Sequence, residues 1–330
     1  MDVTAWTADN ILGLPQYLAP KLFGNEPEQT FRQLVKRWHP DTCSDPQAQQ
    51  VFTRILALRE SDKNGKGQVT VIGSAGEERV HLTTYAETDL GRRWVGPNVL
   101  AWSFEHEPDL AKVFRKNLRE TPFADEKMRK QMRSVFPRFI REVTHDGAPM
   151  LMFPRKNTAV ISDWIVVQGS FPTAHLAWLG SGLLNIGAWA NWADWVRPAI
   201  ALDTVTINPA THDVGLVGGW ESAAQAGKRP VVASKRTLRL CPALTSPSFT
   251  PTTTLTQEII RQTLREAAGD PSGLRLTDLG VPGPIAKWLQ SAPAKDAVAD
   301  YQNWHQALQQ VYGTRKFVKW DKSISEVYSF

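Results

Sequence analysis

At 330 residues, with 42% apolar and 22% charged side chains, the chain has the composition of a folded globular protein of two or three domains. Thirteen tryptophans, most of them after residue 90, argue for compact packing there and against a disordered tail. The net charge is only +5, and two cysteines, Cys43 and Cys241, provide neither a disulfide framework nor metal-ligand spacing, so free thiols in a reducing cytoplasm are expected.

The opening residues, Met1 to Leu12, lack the basic segment and apolar core of a signal peptide. Phe31, Leu34, Val35 and Trp38 then recur at i, i+3, i+4 and i+7, which predicts an amphipathic helix entered through Pro27 and Glu28. Arg32, Lys36 and Arg37 fall on its other side and give it a basic outer face. Asp45 and Pro46 open a second helix, whose stripe is Ala48, Val51, Phe52 and Ile55. Two short helices with facing apolar stripes form an antiparallel hairpin. His39-Pro40-Asp41 lies in the connection, where Pro40 stiffens the turn.

These residues resemble the J-domain family. "FRQLVKRWHPD" is similar to its second helix and signature loop, "DPQAQQVFTRILAL" to its third helix, and "ILGL" (Ile11 to Leu14) to its first. The stretch from Pro15 to Asn25 is longer than the family pattern and carries proline. The resemblance implies an all-α domain over 1–62 that docks on a DnaK-type chaperone and triggers its ATPase. By position, His39, Pro40 and Asp41 would be the trigger, and Arg32, Lys36 and Arg37 would steer the encounter.

Residues 63–68, polar and glycine-containing, read as a linker. Strands are predicted at Gln68 to Ile72, Glu78 to Thr84 and Pro149 to Phe153, and helices at about 109–120 and 125–141. Between Lys112 and Arg141 stand ten Lys and Arg against three acids, a net +7 that exceeds the excess of the whole chain. Such a run is ordinarily a solvated helix face; read functionally, it offers a basic patch from Lys112, Arg115, Lys116, Arg119, Lys130 and Arg133.

The uncharged stretch from Leu176 to Ala193 contains Ser181, Asn185, Asn191 and three glycines, which predicts a buried helix over about 172–196 and no membrane span. Val205 to Asn208 and Asp213 to Val217 flank a turn and predict a hairpin. Helices follow from Thr254 to Gly269 and from about Pro293 to Tyr312, each with an apolar stripe expected to be core.

The order of strands, helix, connecting strand, long buried helix, loop and hairpin resembles the bilobal protein-kinase fold. The expected class is therefore α+β: an all-α J-domain hairpin, a kinase-like N-lobe over 69–155 and a mainly helical C-lobe over 156–330. A kinase needs an Asp as base, an Asn five residues on, and a metal-binding Asp. The resemblance places these on Ala199, Thr204 and Gly218, none of which can serve. "ERVHLTTYAE", taken as the phosphate-orienting strand, has no Lys, and Gly73 to Gly76 makes no convincing phosphate loop. Moving the alignment by several residues brings only Asp203 or Asp213 into play. The expectation is a pseudokinase body with no metal and no ATP–magnesium cofactor, joined to a co-chaperone module that recruits a DnaK-type partner for an unknown client. A divergent protein kinase, and a nucleic-acid-binding adaptor acting through 112–141, are the alternatives.

Overall fold

The computed structural model describes residues 6–14, 19–24, 26–64, 68–82, 84–139, 141–314 and 316–328. The chain divides into two compact units, one of residues 1–107 and 140–155 and one of 108–139 and 156–329. The first lobe was expected to hold everything from 69 to 155. Residues 108–139 instead cluster with the second unit.

The first unit begins with α1 (Ala8–Leu12), α2 (Ala19–Phe23), α3 (Pro27–Arg37) and α4 (Ala48–Asn64). Glu28 at the start of α3 pairs with Arg59 near the end of α4, and His39, just past α3, packs on Phe52 near the start of α4. These two contacts fix the helices as antiparallel. Between them Leu34, Trp38, Val51, Ile55 and Leu58 are buried, joined by Ile11, Leu22 and Phe23 from α1 and α2. The stripe legible in the sequence is thus the packed face, and burying side chains of this size stabilises by about 2 kcal/mol each. Helix α4 runs to Asn64, two residues beyond the expected boundary, and the Gly-Lys-Gly at 65–67 lies outside the described residues. So do Pro15 to Leu18 of the long first connection.

The sheet follows: β1 (Gln68–Gly73), β2 (Gly76–His81), β3 (Thr84–Glu87), β4 (Arg92–Val95) and β5 (Val99–Ser103), completed by β6 (Arg141–His145) and β7 (Ala148–Pro154). Among the described residues it has seven antiparallel strands in the order β2-β1-β6-β7-β5-β4-β3. Val71, Leu82, Trp94, Ala101, Val143, Met150 and Met152 form its buried face. Two expectations fail here. A helix to 141 is not formed, because Pro137 cannot donate within a helix and Arg141–His145 pairs with β7 instead. "ERVHLTTYAE" is not one strand but parts of β2 and β3.

In the second unit come α5 (Leu110–Arg119), α6 (Glu126–Gln131), β8 (Ala159–Val160), α7 (Ile161–Gln168), α8 (Thr173–Trp192), β9 (Trp195–Val196), β10 (Val205–Ile207) and β11 (Val214–Leu216). Then follow β12 (Ala224–Gln225), α9 (Lys235–Leu240), α10 (Thr253–Ala267), α11 (Gly283–Gln290), α12 (Ala297–Tyr312) and α13 (Ile324–Val327). Helix α8 stops at Trp192, short of the expected 196, because Asp194 turns the backbone at φ 53° and Trp195 and Val196 pair with β12. Helix α12 begins at Ala297, later than expected, where the Asp296 carboxylate caps the amides of Val298 and Ala299. The predicted hairpin is β10–β11, with Val205 opposite Leu216 and Ile207 opposite Val214.

The packing of α8 depends on its glycines. A Cβ at Gly180 would fall 2.5 Å from the Trp304 ring of α12, and one at Gly182 would fall 2.3 Å from Val214. Among the described residues no helix is long and apolar enough to cross a membrane. Helix α8 is buried along most of its length, with Asn185 and Trp192 exposed.

At the start of α8, His175 is buried, stacks on Trp320 at 3.7 Å and lies 3.4 Å from His212. Burial, and secondly the neighbouring His212, pull the His175 imidazole down to about 4. A lowered imidazole means that the unfolded chain binds the proton first. Stability is therefore full above about 6.5, the ordinary value, and lost as pH falls toward about 4. Urea melts across that window should show the decline, and His175→Phe should flatten it. In the same assay Gly180→Ala should cost about 1–3 kcal/mol through overpacking against Trp304, whereas Gly283→Ala, which meets nothing within 4 Å, should cost nothing.

Candidate functional sites

The connection from α3 to α4 is a tight turn. The amides of Thr42 and Cys43 both donate to the His39 carbonyl, at 3.0 and 2.9 Å. The His39 ring stands edge-on to Phe52 at 5.3 Å, and its Nδ1 accepts from the Asp41 amide at 3.3 Å. One face of His39 is thus fixed to the hairpin while Asp41, whose side chain is 85% exposed, points into solvent 3.7 Å from the imidazole. Arg32, Lys36 and Arg37 are exposed on α3, with the Arg37 guanidinium over the Trp38 ring at 5.1 Å. The six residues singled out in the sequence therefore lie on one helix and the turn that ends it. A carboxylate beside a basic helix face is suited to docking on a surface of mixed charge, with the cations steering the approach.

A second cluster lies after β9. Thr204 Oγ1 donates to the Ala199 carbonyl at 2.7 Å, and the Gly218 amide donates to the Thr204 carbonyl at 3.2 Å. Gly219 has φ 73°, and a Cβ there would lie 2.8 Å from Ala199. Ala199 and Thr204, five residues apart, and Gly218 after the hairpin thus meet at one point. None of them carries a carboxylate or an amide side chain. Asp213 does not rescue the cluster: it sits in the hairpin turn, bonded to Thr211 Oγ1 at 2.9 Å, with three strand residues (about 10 Å) between it and Val217. Asp203 is exposed on the loop. The strand that precedes α5 is β5, and Val-Leu-Ala-Trp-Ser carries no Lys.

Sequence reasoning missed Arg197. It is buried, with its guanidinium 3.8 Å over the Trp220 ring and Glu221 buried nearby. Burial pulls the guanidinium down to about 9 and pushes the Glu221 carboxyl up. Nothing in the local pattern distinguishes this arginine from a surface one.

The basic segment forms a concavity. Phe136 packs edge-on to Trp189 at 4.6 Å and Trp220 at 5.2 Å, and Asn117 of α5 donates to the Trp220 and Ala223 carbonyls. These contacts hold α5, α6 and the following turn around a cavity of about 570 Å³. Arg115, Arg119, Lys130 and Arg133 line it, as the sequence suggested, together with Arg129 and Arg138. Lys112 and Lys116 do not line it, and Lys112 pairs with Asp109 at 2.9 Å.

No family model matches the chain, and no curated protein matches it. Among solved structures, the kinase domain of PknI from Mycobacterium tuberculosis aligns with a TM-score of 0.44 at 10% identity, over 69% of this chain and 95% of that one. A likeness of that size carries no argument.

Proposed function

We propose that the chain is a non-catalytic adaptor, in which a J-domain-like hairpin recruits a DnaK-type chaperone and stimulates its ATPase while a pseudokinase-like body holds a client or complex. The observation that carries the proposal is the turn at His39-Pro40-Asp41. Its histidine is anchored on Phe52, its aspartate is exposed, and it ends a helix with an exposed basic face. The partner is the one that the J-domain resemblance implies, and with it goes a cytoplasmic location, in which the free Cys43 and Cys241 also fit.

The body supplies no phosphoryl-transfer chemistry in this proposal. Transfer depends on magnesium held by oxygen ligands and on a base for the hydroxyl. The residues that the resemblance aligns with those groups, Ala199, Thr204 and Gly218, present a methyl, a hydroxyl already donated to a carbonyl, and no side chain.

A chaperone ATPase assay tests the hairpin. The wild-type chain should raise the steady-state rate of a DnaK-type chaperone, and Asp41→Asn should remove at least nine-tenths of that stimulation with the fold intact. Lys36→Glu should raise the concentration needed for half-stimulation several-fold, more so at low salt, because the cations act on the encounter. Equal stimulation by wild type and Asp41→Asn would sink the proposal. For the body, millimolar ATP with magnesium should leave the melting temperature unmoved; a rise of several degrees would instead support the divergent-kinase alternative.

A further inference from the structure

The cavity beside α5 and α6 is built for an anion. Six cations line it, Arg115, Arg119, Arg129, Lys130, Arg133 and Arg138, against one carboxylate, Glu126. Glu126 reaches only Arg129, at 3.4 Å. The neighbouring Asp125 is already committed as the cap of α6, accepting from the Met128 amide at 2.7 Å. Arg119, Lys130, Arg133 and Arg138 have no ion-pair partner among the described residues. Four unneutralised cations around one concavity repel each other, and a polyanion relieves that repulsion more effectively than dilute salt does.

The shape and lining narrow the class. Five of the six cations are arginines, whose planar forks match phosphate oxygens two at a time. The wall is aromatic: the Arg129 guanidinium lies 5.0 Å over the half-buried Phe123 ring, which leans on Phe136 at 6.2 Å. Cations that track a backbone beside a ring or guanidinium plane that stacks a base are the two elements of a single-strand site. A duplex presents its phosphates on a convex cylinder and keeps its bases stacked inside, so it cannot use the recess. An acidic peptide would satisfy the cations and leave Phe123 without a role.

We propose that this cavity binds single-stranded nucleic acid, with consecutive phosphates on Arg119, Lys130, Arg133 and Arg138 and a base stacked on the Phe123–Arg129 pair. This site is independent of the chaperone-docking turn, and either can fail without the other.

The test is fluorescence anisotropy of the full chain with a short labelled oligothymidylate, competed in turn by an unlabelled duplex of the same length and by polyglutamate. The wild type should bind with a log–log salt slope of about −3, as expected for four contacts on a single strand. Lys130→Glu combined with Arg133→Glu should weaken binding at least tenfold, and Arg138→Glu alone should weaken it and shallow the slope. Phe123→Ala should weaken it several-fold without changing the slope. Lys287→Glu with Lys295→Glu, exposed and outside the cavity, should leave binding unchanged. Absence of binding, indifference to the cavity variants, or competition by duplex or polyglutamate as strong as by the single strand would overturn the proposal.

Discussion

The second unit depends on how closely other elements approach α8. Gly180, Gly182 and Gly187 leave the space that the Trp304 ring, the Val214 side chain and the Ile260 side chain occupy. A glycine in a helix costs about 1 kcal/mol of propensity, so three in one helix are tolerated only because tertiary packing returns more than that. Their effect is to clamp α12, the β10–β11 hairpin and α10 against a single rod. Because the hairpin is held this way, the residues at its open end, Thr204 and Gly218, are brought to Ala199. Trp189, on the same helix, donates to the Pro122 carbonyl at 3.1 Å and supports the floor of the basic cavity. The loop from Ala199 to Thr204 and the basic recess are therefore both consequences of how α8 packs.

The same rigidity makes the missing chemistry informative. At a mobile loop, an absent carboxylate could be replaced by one from a neighbouring position. Here Gly219 admits no side chain beside Ala199, Thr204 spends its hydroxyl on a backbone carbonyl, and Asp213 is held at the far end of the hairpin. Arg197 and Trp220 fill the space beneath with a stacked, buried pair. Such an arrangement is a well-packed joint.

Much of this was legible in the sequence where a single periodicity governs. The α3 and α4 stripes, the uncharged α8 and the Val205–Val217 hairpin each encode burial in their own local spacing, and each is found in place. The failures have equally local reasons. Strands β4 and β5 were missed because they are buried almost throughout, including Arg93, and show no alternation to read. The stretch 125–141 reads as one helix because its charge content outweighs Pro137, yet it breaks into α6, a short turn and β6. The candidate trigger residues come from one contiguous motif and could be named. Charge density alone picks out Arg115, Arg119, Lys130 and Arg133, but the cavity also takes in Arg129, Arg138 and Phe123, which no spacing announces. Arg197 is invisible for the same reason, since its partner Trp220 is set by the fold alone.

The central proposal is that the exposed turn, and not the second unit, engages a DnaK-type chaperone. Hydrogen–deuterium exchange on the full chain with an ATP-loaded DnaK-type chaperone addresses it most directly. The account predicts new protection confined to Pro27–Thr42, that is, α3 and the His39-Pro40-Asp41 turn, with no change at residues 197–220. Protection at 197–220 with none on α3, or no protection at all at saturating chaperone, would contradict it.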